Sequence, residues 1–293
     1  MEQGLVDSSK FNISLLSLDS RFADQRACEN SEFKIVLPYP IKNIMRVRLA
    51  SIELPLVEYL FSLQYGNTTL AVKVGASPTF VKMTPITSGN YTAVELLSAI
   101  QTNLILIHSG FTVTMNQYNG RCTIRNSSVR FEAYLISYNK EIASRPAYWG
   151  IGYYLGFREG RIESALDKDG TYFITGSSVI NIQQNQYYLL QLQYPQQIVN
   201  LKHRLDEDDY LDAFAKIVLK NGYFTIAFDD NSNLLRKEYT FVSPVTIPFF
   251  TLKLLNPFGE PVDMLNVDWS VTLEITDVVS SRTYTALSKT IGR

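Results

Sequence analysis

Residues 44–54, Ile44-Met-Arg-Val-Arg-Leu-Ala-Ser-Ile-Glu-Leu54, carry strand character in two phases at once. Ile44, Arg46, Arg48, Ala50, Ile52 and Leu54 fall on one side, and Met45, Val47 and Leu49 on the other. A pleated strand sends successive side chains to opposite faces, so apolar residues in both phases imply a long strand carrying a bulge. Upstream, Phe33-Lys-Ile-Val-Leu37 alternates cleanly before Pro38 and Pro40, and 11–18 alternates loosely; both predict strands. Downstream, strands are predicted over 173–182, 186–193, 214–219, 223–228, 238–247, 249–255 and 269–276, with Asn221-Gly222, 229–233 and Asn256-Pro-Phe-Gly259 as turns. Many short strands with little helix predict a sandwich rather than a βαβ fold. With 63–171 set aside, about eight or nine strands remain, the count of a jelly roll. The expectation is therefore an all-β, jelly-roll β-sandwich built from 1–62 and 172–293, interrupted by a small α+β subdomain at 63–171.

Within that insertion Thr92-Ala-Val-Glu95 forms a capping box, in which Thr92 and Glu95 satisfy free N–H groups at a helix start. Val94, Leu97, Ile100, Leu104 and Ile107 follow at helical spacing, predicting a helix over about 92–108. After it, 111–124 reads as a β-hairpin, with Asn119-Gly120 suited to a type I′ turn.

Composition narrows the function. Of 293 residues, 46% are apolar and 19% charged, which supports a large core and excludes disorder. Twenty-seven Lys+Arg against 28 Asp+Glu leave no basic excess for phosphate backbones, so nucleic acid is not an expected partner. No run reaches the roughly 18 apolar residues of a membrane-spanning helix, and Met1–Lys10 lacks a secretory signal pattern, which points to synthesis in the cytoplasm. Cys28 and Cys122 read as free thiols. The sequons at Asn12, Asn67, Asn90 and Asn126 are about as many as chance placement supplies.

Catalytic and metal chemistry find little material. His108 and His203 are the only histidines and neither sits in a nucleophile context; His108 falls at the predicted helix C-terminus, where it favours the dipole. Two Cys and two His scattered over the chain make no zinc spacing, so no catalytic residue, cofactor or metal ligand is expected. Asp206-Glu-Asp-Asp209 with Asp212 lacks an EF-hand pattern and reads as a solvated loop or an acidic face for a basic neighbour. Trp149-Gly-Ile-Gly-Tyr-Tyr-Leu-Gly-Phe157 is no phosphate loop; its aromatics either fill the core of the insertion or form an exposed ridge that anchors a partner or stacks on sugars. Arg21, Arg26, Arg46 and Arg48 lie near or on the first strands, as partners for a neighbour's carboxylates or as ordinary solvated arginines. The candidate interface residues are Arg21, Arg26, Trp149, Tyr153, Tyr154, Asp206, Glu207, Asp208 and Asp209.

Several runs resemble a known family. Leu18-Asp-Ser-Arg-Phe22, Ser31-Glu-Phe-Lys-Ile-Val-Leu37 and Ile44 through Pro55 look like the opening of jelly-roll penton and minor capsid proteins of nucleocytoplasmic large DNA viruses. Gly66-Asn67, Gly89-Asn-Tyr-Thr-Ala-Val-Glu-Leu-Leu97, Leu155-Gly-Phe157, Tyr187-Tyr-Leu-Leu190, Phe249 through Val262 and Asp268-Trp-Ser-Val-Thr-Leu273 resemble later parts in the same order, so the similarity spans about 11–276. The resemblance implies a virion structural protein, not an enzyme. It would form the fivefold vertices of an icosahedral shell or cement its major capsomers. Its partners would be copies of itself, as a pentamer, and the major capsid protein or other minor capsid proteins. A sandwich interrupted by an insertion looks more like a vertex protein bearing a cap. A fivefold ring uses heterologous contacts, and the polar segment Met1–Lys10 is then a candidate clamp. The readings from other classes are a carbohydrate-binding or attachment module using the aromatic loop, and a hydrolase built on a sandwich.

Overall fold

The computed structural model describes residues 11–136, 149–183, 185–205, 209–220, 222, 224–229 and 237–278. The chain divides into two compact units, Met1–Glu58 with Asn185–Arg293, and Tyr59–Gln184. Strand Tyr172–Thr175, assigned to the sandwich by its sequence pattern, lies in the second unit, where it pairs with Cys122–Asn126. Alternation identifies a strand but not its partner, so pairing rather than pattern decides which sheet receives this segment.

In the first unit the strand order is Phe11–Asp19, Ser270–Val278, Glu32–Pro55, Glu238–Leu255, Tyr187–Tyr194 and Gln196–Ile198. Ala215–Val218 joins Tyr187–Tyr194, while Ile226–Asp229 and Gln25–Ala27 join Glu32–Pro55, all antiparallel. The two longest strands serve both layers. Ser270–Val278 pairs with the 44–53 part of Glu32–Pro55, whereas Gln25–Ala27 and residues 249–253 of Glu238–Leu255 pair with its beginning. The rings of Phe33 and Trp269 meet edge to face at 4.7 Å, so the two parts of the sheet face each other across one core. This is the jelly-roll β-sandwich expected.

The two-phase pattern of 44–54 now has a geometric cause. Opposite Ser270–Val278 the register passes from Ser51 to Leu49 and from Arg46 to Ile44, leaving Ala50 and Met45 as extra residues. Each bulge reverses the alternation once, so Ile44, Val47, Leu49, Ile52 and Leu54 are all buried. The predicted break at Pro38 and Pro40 does not occur, nor does one at Pro248. The ladder between the long strands instead skips from Val36 opposite Phe249 to Ile41 opposite Ile247. Proline cannot donate to a ladder, and here prolines of both strands fall where the ladder is already broken, at the bend between layers.

Among its described residues the second unit holds two four-stranded sheets. One runs Ala165–Leu166, Tyr172–Thr175, Cys122–Asn126, Phe111–Met115; the other runs Val81–Lys82, Ala71–Val74, Phe131–Tyr134, Arg161–Glu163. Helix Ala93–Ile105 starts from the expected capping box, with Glu95 N–H on the Thr92 hydroxyl and Thr92 N–H on the Glu95 carboxylate. Its buried face is Leu96, Leu97, Ile100 and Leu104; Val94 is exposed, since the stripe begins two residues later than the spacing indicated. The hairpin 111–126 forms, but not with a type I′ turn. Only Gly120 has positive φ, and its N–H closes a longer loop on the Asn116 carbonyl at 2.8 Å.

Candidate interaction surface

The outer face of one sandwich layer is built from Phe11–Asp19, Ser270–Val278, the 44–55 part of Glu32–Pro55, and Ile226–Asp229. Register fixes which side chains share it. Leu15 lies opposite Glu274, and Glu274 opposite Arg48; Asp19 lies opposite Ser270, Ser270 opposite Glu53, and Glu53 opposite Phe228. Leu18 and Leu16 point into the core, so Ile13 and Leu15 point out, 60% and 69% exposed. At the other margin Ala227 is buried, which turns Ile226 and Phe228 outward, and Phe224 is exposed beside them.

Between these margins runs a charged band. Arg46 reaches Glu274 at 3.1 Å and Glu238 at 3.8 Å, and Arg48 reaches Glu274 at 3.7 Å. Glu53, on the same face, accepts from the Ser51 and Ser270 hydroxyls, while both arginines find carboxylates within their own chain. The same holds for Arg21 and Arg26. Arg21 grips Asp19 through both oxygens, at 3.1 and 2.6 Å, and its guanidinium holds the Asp19 carboxyl below the usual carboxylate range. Arg26 binds Asp268 at 3.3 Å and the Arg21 carbonyl at 3.0 Å. Asp19, Arg21, Glu53, Ile226, Asp268 and Ser270 border a shallow pocket of about 350 Å³ at this end of the face.

In the second unit the glycine-rich run is mostly core. Ile151–Tyr154 makes one helical turn, and Ile151, Tyr154, Leu155 and Phe157 are buried. Tyr154 packs edge to face on Phe61, which removes it from the candidate surface. Gly152 lies against the Leu135 backbone, where a Cβ would meet Leu135 Cβ at 2.5 Å, and Gly156 adopts φ +88°. Trp149 and Tyr153 are half-buried and stacked on each other at 5.1 Å, with Arg158 over the Tyr153 ring at 4.4 Å. These rings already engage one another and a cation rather than forming an open ridge.

Asp206, Glu207, Asp208 and the segment 1–10 lie outside the described residues; Asp209 is exposed. The histidines make local bonds. His108 Nδ1 accepts the Gly110 N–H at 3.2 Å and lies 3.0 Å from the Asn126 amide, and His203 Nε2 lies 3.0 Å from the Pro257 carbonyl. Cys28 is exposed and Cys122 buried, both as free thiols, and burial pushes the Cys122 thiol up to about 12. Asn67 and Asn126 are fully buried, so neither of those sequons can accept a glycan in this fold. Among the described residues there is no group of three or more His, Cys, Asp or Glu placed to hold a metal, and no helix is long and apolar enough to cross a membrane.

The exposed rows Ile13/Leu15 and Phe224/Ile226/Phe228 were not singled out from the sequence. Alternation marks them as apolar, but only the pairing shows which phase faces outward.

No protein-family model matches the chain, and no curated protein does. Among solved structures, the mavirus penton protein is similar with a TM-score of 0.50 at 9% sequence identity, over 92% of this chain and 100% of that one. A chain of the Sputnik virophage is similar with a TM-score of 0.41 at 10% identity, over 94% of this chain and 99% of that one. The protein thus shares the fold of a jelly-roll penton protein, the family its sequence resembles.

Proposed function

We propose that this chain is a structural protein of an icosahedral viral capsid and serves as its fivefold vertex subunit, assembling with copies of itself and with neighbouring capsid proteins in the virion. The observation that carries the proposal is the extent of the fold similarity. It leaves out only 8% of the chain, roughly 23 of 293 residues, fewer than either compact unit contains. The sandwich and its insertion are therefore matched together, and a sandwich alone would be too common to indicate a role. Contacts among many copies need apolar and aromatic area with few desolvated charges, and this composition provides it, as core packing alone also would. The role asks for no catalytic group: its chemistry is that of complementary surfaces.

Quantitative mass spectrometry of purified particles tests this. A copy number of about 60 per particle, five at each of twelve vertices, is expected for a penton. Hundreds of copies would instead identify a minor capsid protein cementing the capsomers. Absence from particles would refute the capsid role and favour a carbohydrate-binding attachment module.

A further inference from the structure

We propose that an open groove on the outer face of the opposite sandwich layer binds an oligosaccharide. Sugar binding goes beyond the capsid reading and does not depend on it. The run 182–197 holds seven glutamines, and the register places one of them, Gln193, in a row of polar side chains. Across four strands Gln25 lies opposite Lys34, Lys34 opposite Thr251, and Thr251 opposite Gln193. Their chain neighbours Phe33, Leu252 and Leu192 are buried in the core, so the row itself faces outward. Together with Phe249 it lines a groove of about 570 Å³, within the roughly 300–1,000 Å³ of small-molecule sites.

The row is free to meet a ligand. Among the described residues Gln25, Thr251 and Gln193 make no side-chain hydrogen bond, and Lys34 has no carboxylate in ion-pair reach; its ammonium lies 4.3 Å over the Phe249 ring. The charged neighbours are already engaged: Arg26 with Asp268 at 3.3 Å, Glu32 with Lys253 at 3.2 Å, and Asp24 with the Val36 N–H at 2.6 Å. Beyond Gln193, Gln191 and Gln197 both donate to the Asp212 carbonyl, at 2.8 and 2.7 Å, and form the border of the groove. What remains is three neutral groups that each donate and accept, one ammonium and one half-buried apolar ring. Sugar hydroxyls also donate and accept, and the C–H faces of a sugar ring are apolar, so a saccharide satisfies every one of these groups. A phosphate-rich ligand would find a single uncompensated cation. An extended peptide would find no open strand edge, because the strands under Lys34, Thr251 and Gln193 are paired on both sides. From Gln25 to Gln193 the row crosses three strand spacings, about 14 Å, which suits an oligosaccharide rather than a single sugar.

The test exposes the full chain to an array printed with gluco-, manno-, galacto-, chito- and sialo-oligosaccharides, followed by saturation-transfer NMR titration with the strongest ligand. The parent should bind at least one of them. Gln25→Ala and Gln193→Ala should each weaken that binding by about three- to tenfold, the weight of one neutral hydrogen bond, and the double variant should lose it. Both positions are exposed, so circular dichroism should show an unchanged fold. A parent that binds no saccharide overturns the inference, as does a double variant that binds like the parent. Loss of binding in Trp149→Ala, with the glutamine variants unaffected, would assign the sugar to the 149–157 run and overturn the groove. Displacement of the sugar by inorganic phosphate, with binding lost in Lys34→Met alone, would make this an anion site and overturn it as well. Because copy number in particles is counted separately, a chain at about 60 copies per particle that binds no sugar keeps the vertex role and loses this site.

Discussion

Replacing Trp269 by phenylalanine should destabilise the sandwich by about 2–4 kcal/mol, from two additive losses. Trp269 is 2% exposed, its ring meets Phe33 edge to face at 4.7 Å, and its Nε1–H donates to the Asn30 carbonyl at 2.7 Å. Phenylalanine keeps the edge contact but removes that donor, and an unpaired buried acceptor costs about 1–3 kcal/mol. The smaller ring also leaves about 40 Å³ empty, worth about 1 kcal/mol at roughly 24 cal/mol per Å³. The backbone bonds between Ser20 and Trp269 are untouched, so the strand start should hold its place. Urea unfolding followed by far-UV circular dichroism measures the loss, and a thermal melt should fall by about 5–15 °C. Trp149, in the other unit, remains as a fluorescent reporter whose transition should move less. A measured cost below about 1 kcal/mol would refute the reasoning, because it would mean the Asn30 carbonyl is satisfied some other way.

Thr92→Ala removes the hydroxyl of the capping box and should cost the second unit about 1 kcal/mol in a denaturant titration, with no change expected in the sandwich. Gly156→Ala places a Cβ against the Ser178 carbonyl at φ +88°, so strain and the clash together should cost upwards of about 2 kcal/mol, read as a loss of soluble folded protein or a lowered melting temperature. Ellman's reagent should label Cys28 rapidly in the native protein and Cys122 only on unfolding. Two fast equivalents at neutral pH would contradict the burial of Cys122. Because the Cys122 thiol is raised to about 12 in the fold from 9.0, its contribution to stability is present below pH 9 and lost as pH climbs towards 12, measurable as a falling melting temperature over that window.

The division between what was legible and what was not follows from the range of the forces involved. Local sequence determined that 44–54 is a strand with irregular phase, that Thr92–Glu95 starts a helix, and that the chain as a whole is a β-sandwich with an α+β insertion. Each rests on side-chain alternation or a cap within a few residues. Tertiary pairing decided the rest. It set which sheet receives Tyr172–Thr175, carried the long strands through their prolines at a shared bend, and turned Tyr154 into core while leaving Ile13, Leu15 and Phe228 outward. An apolar side chain is the same in sequence whether it faces a core or a neighbour. Only the register of its strand against residues more than 200 positions away, as at Leu15 opposite Glu274, assigns it to one or the other.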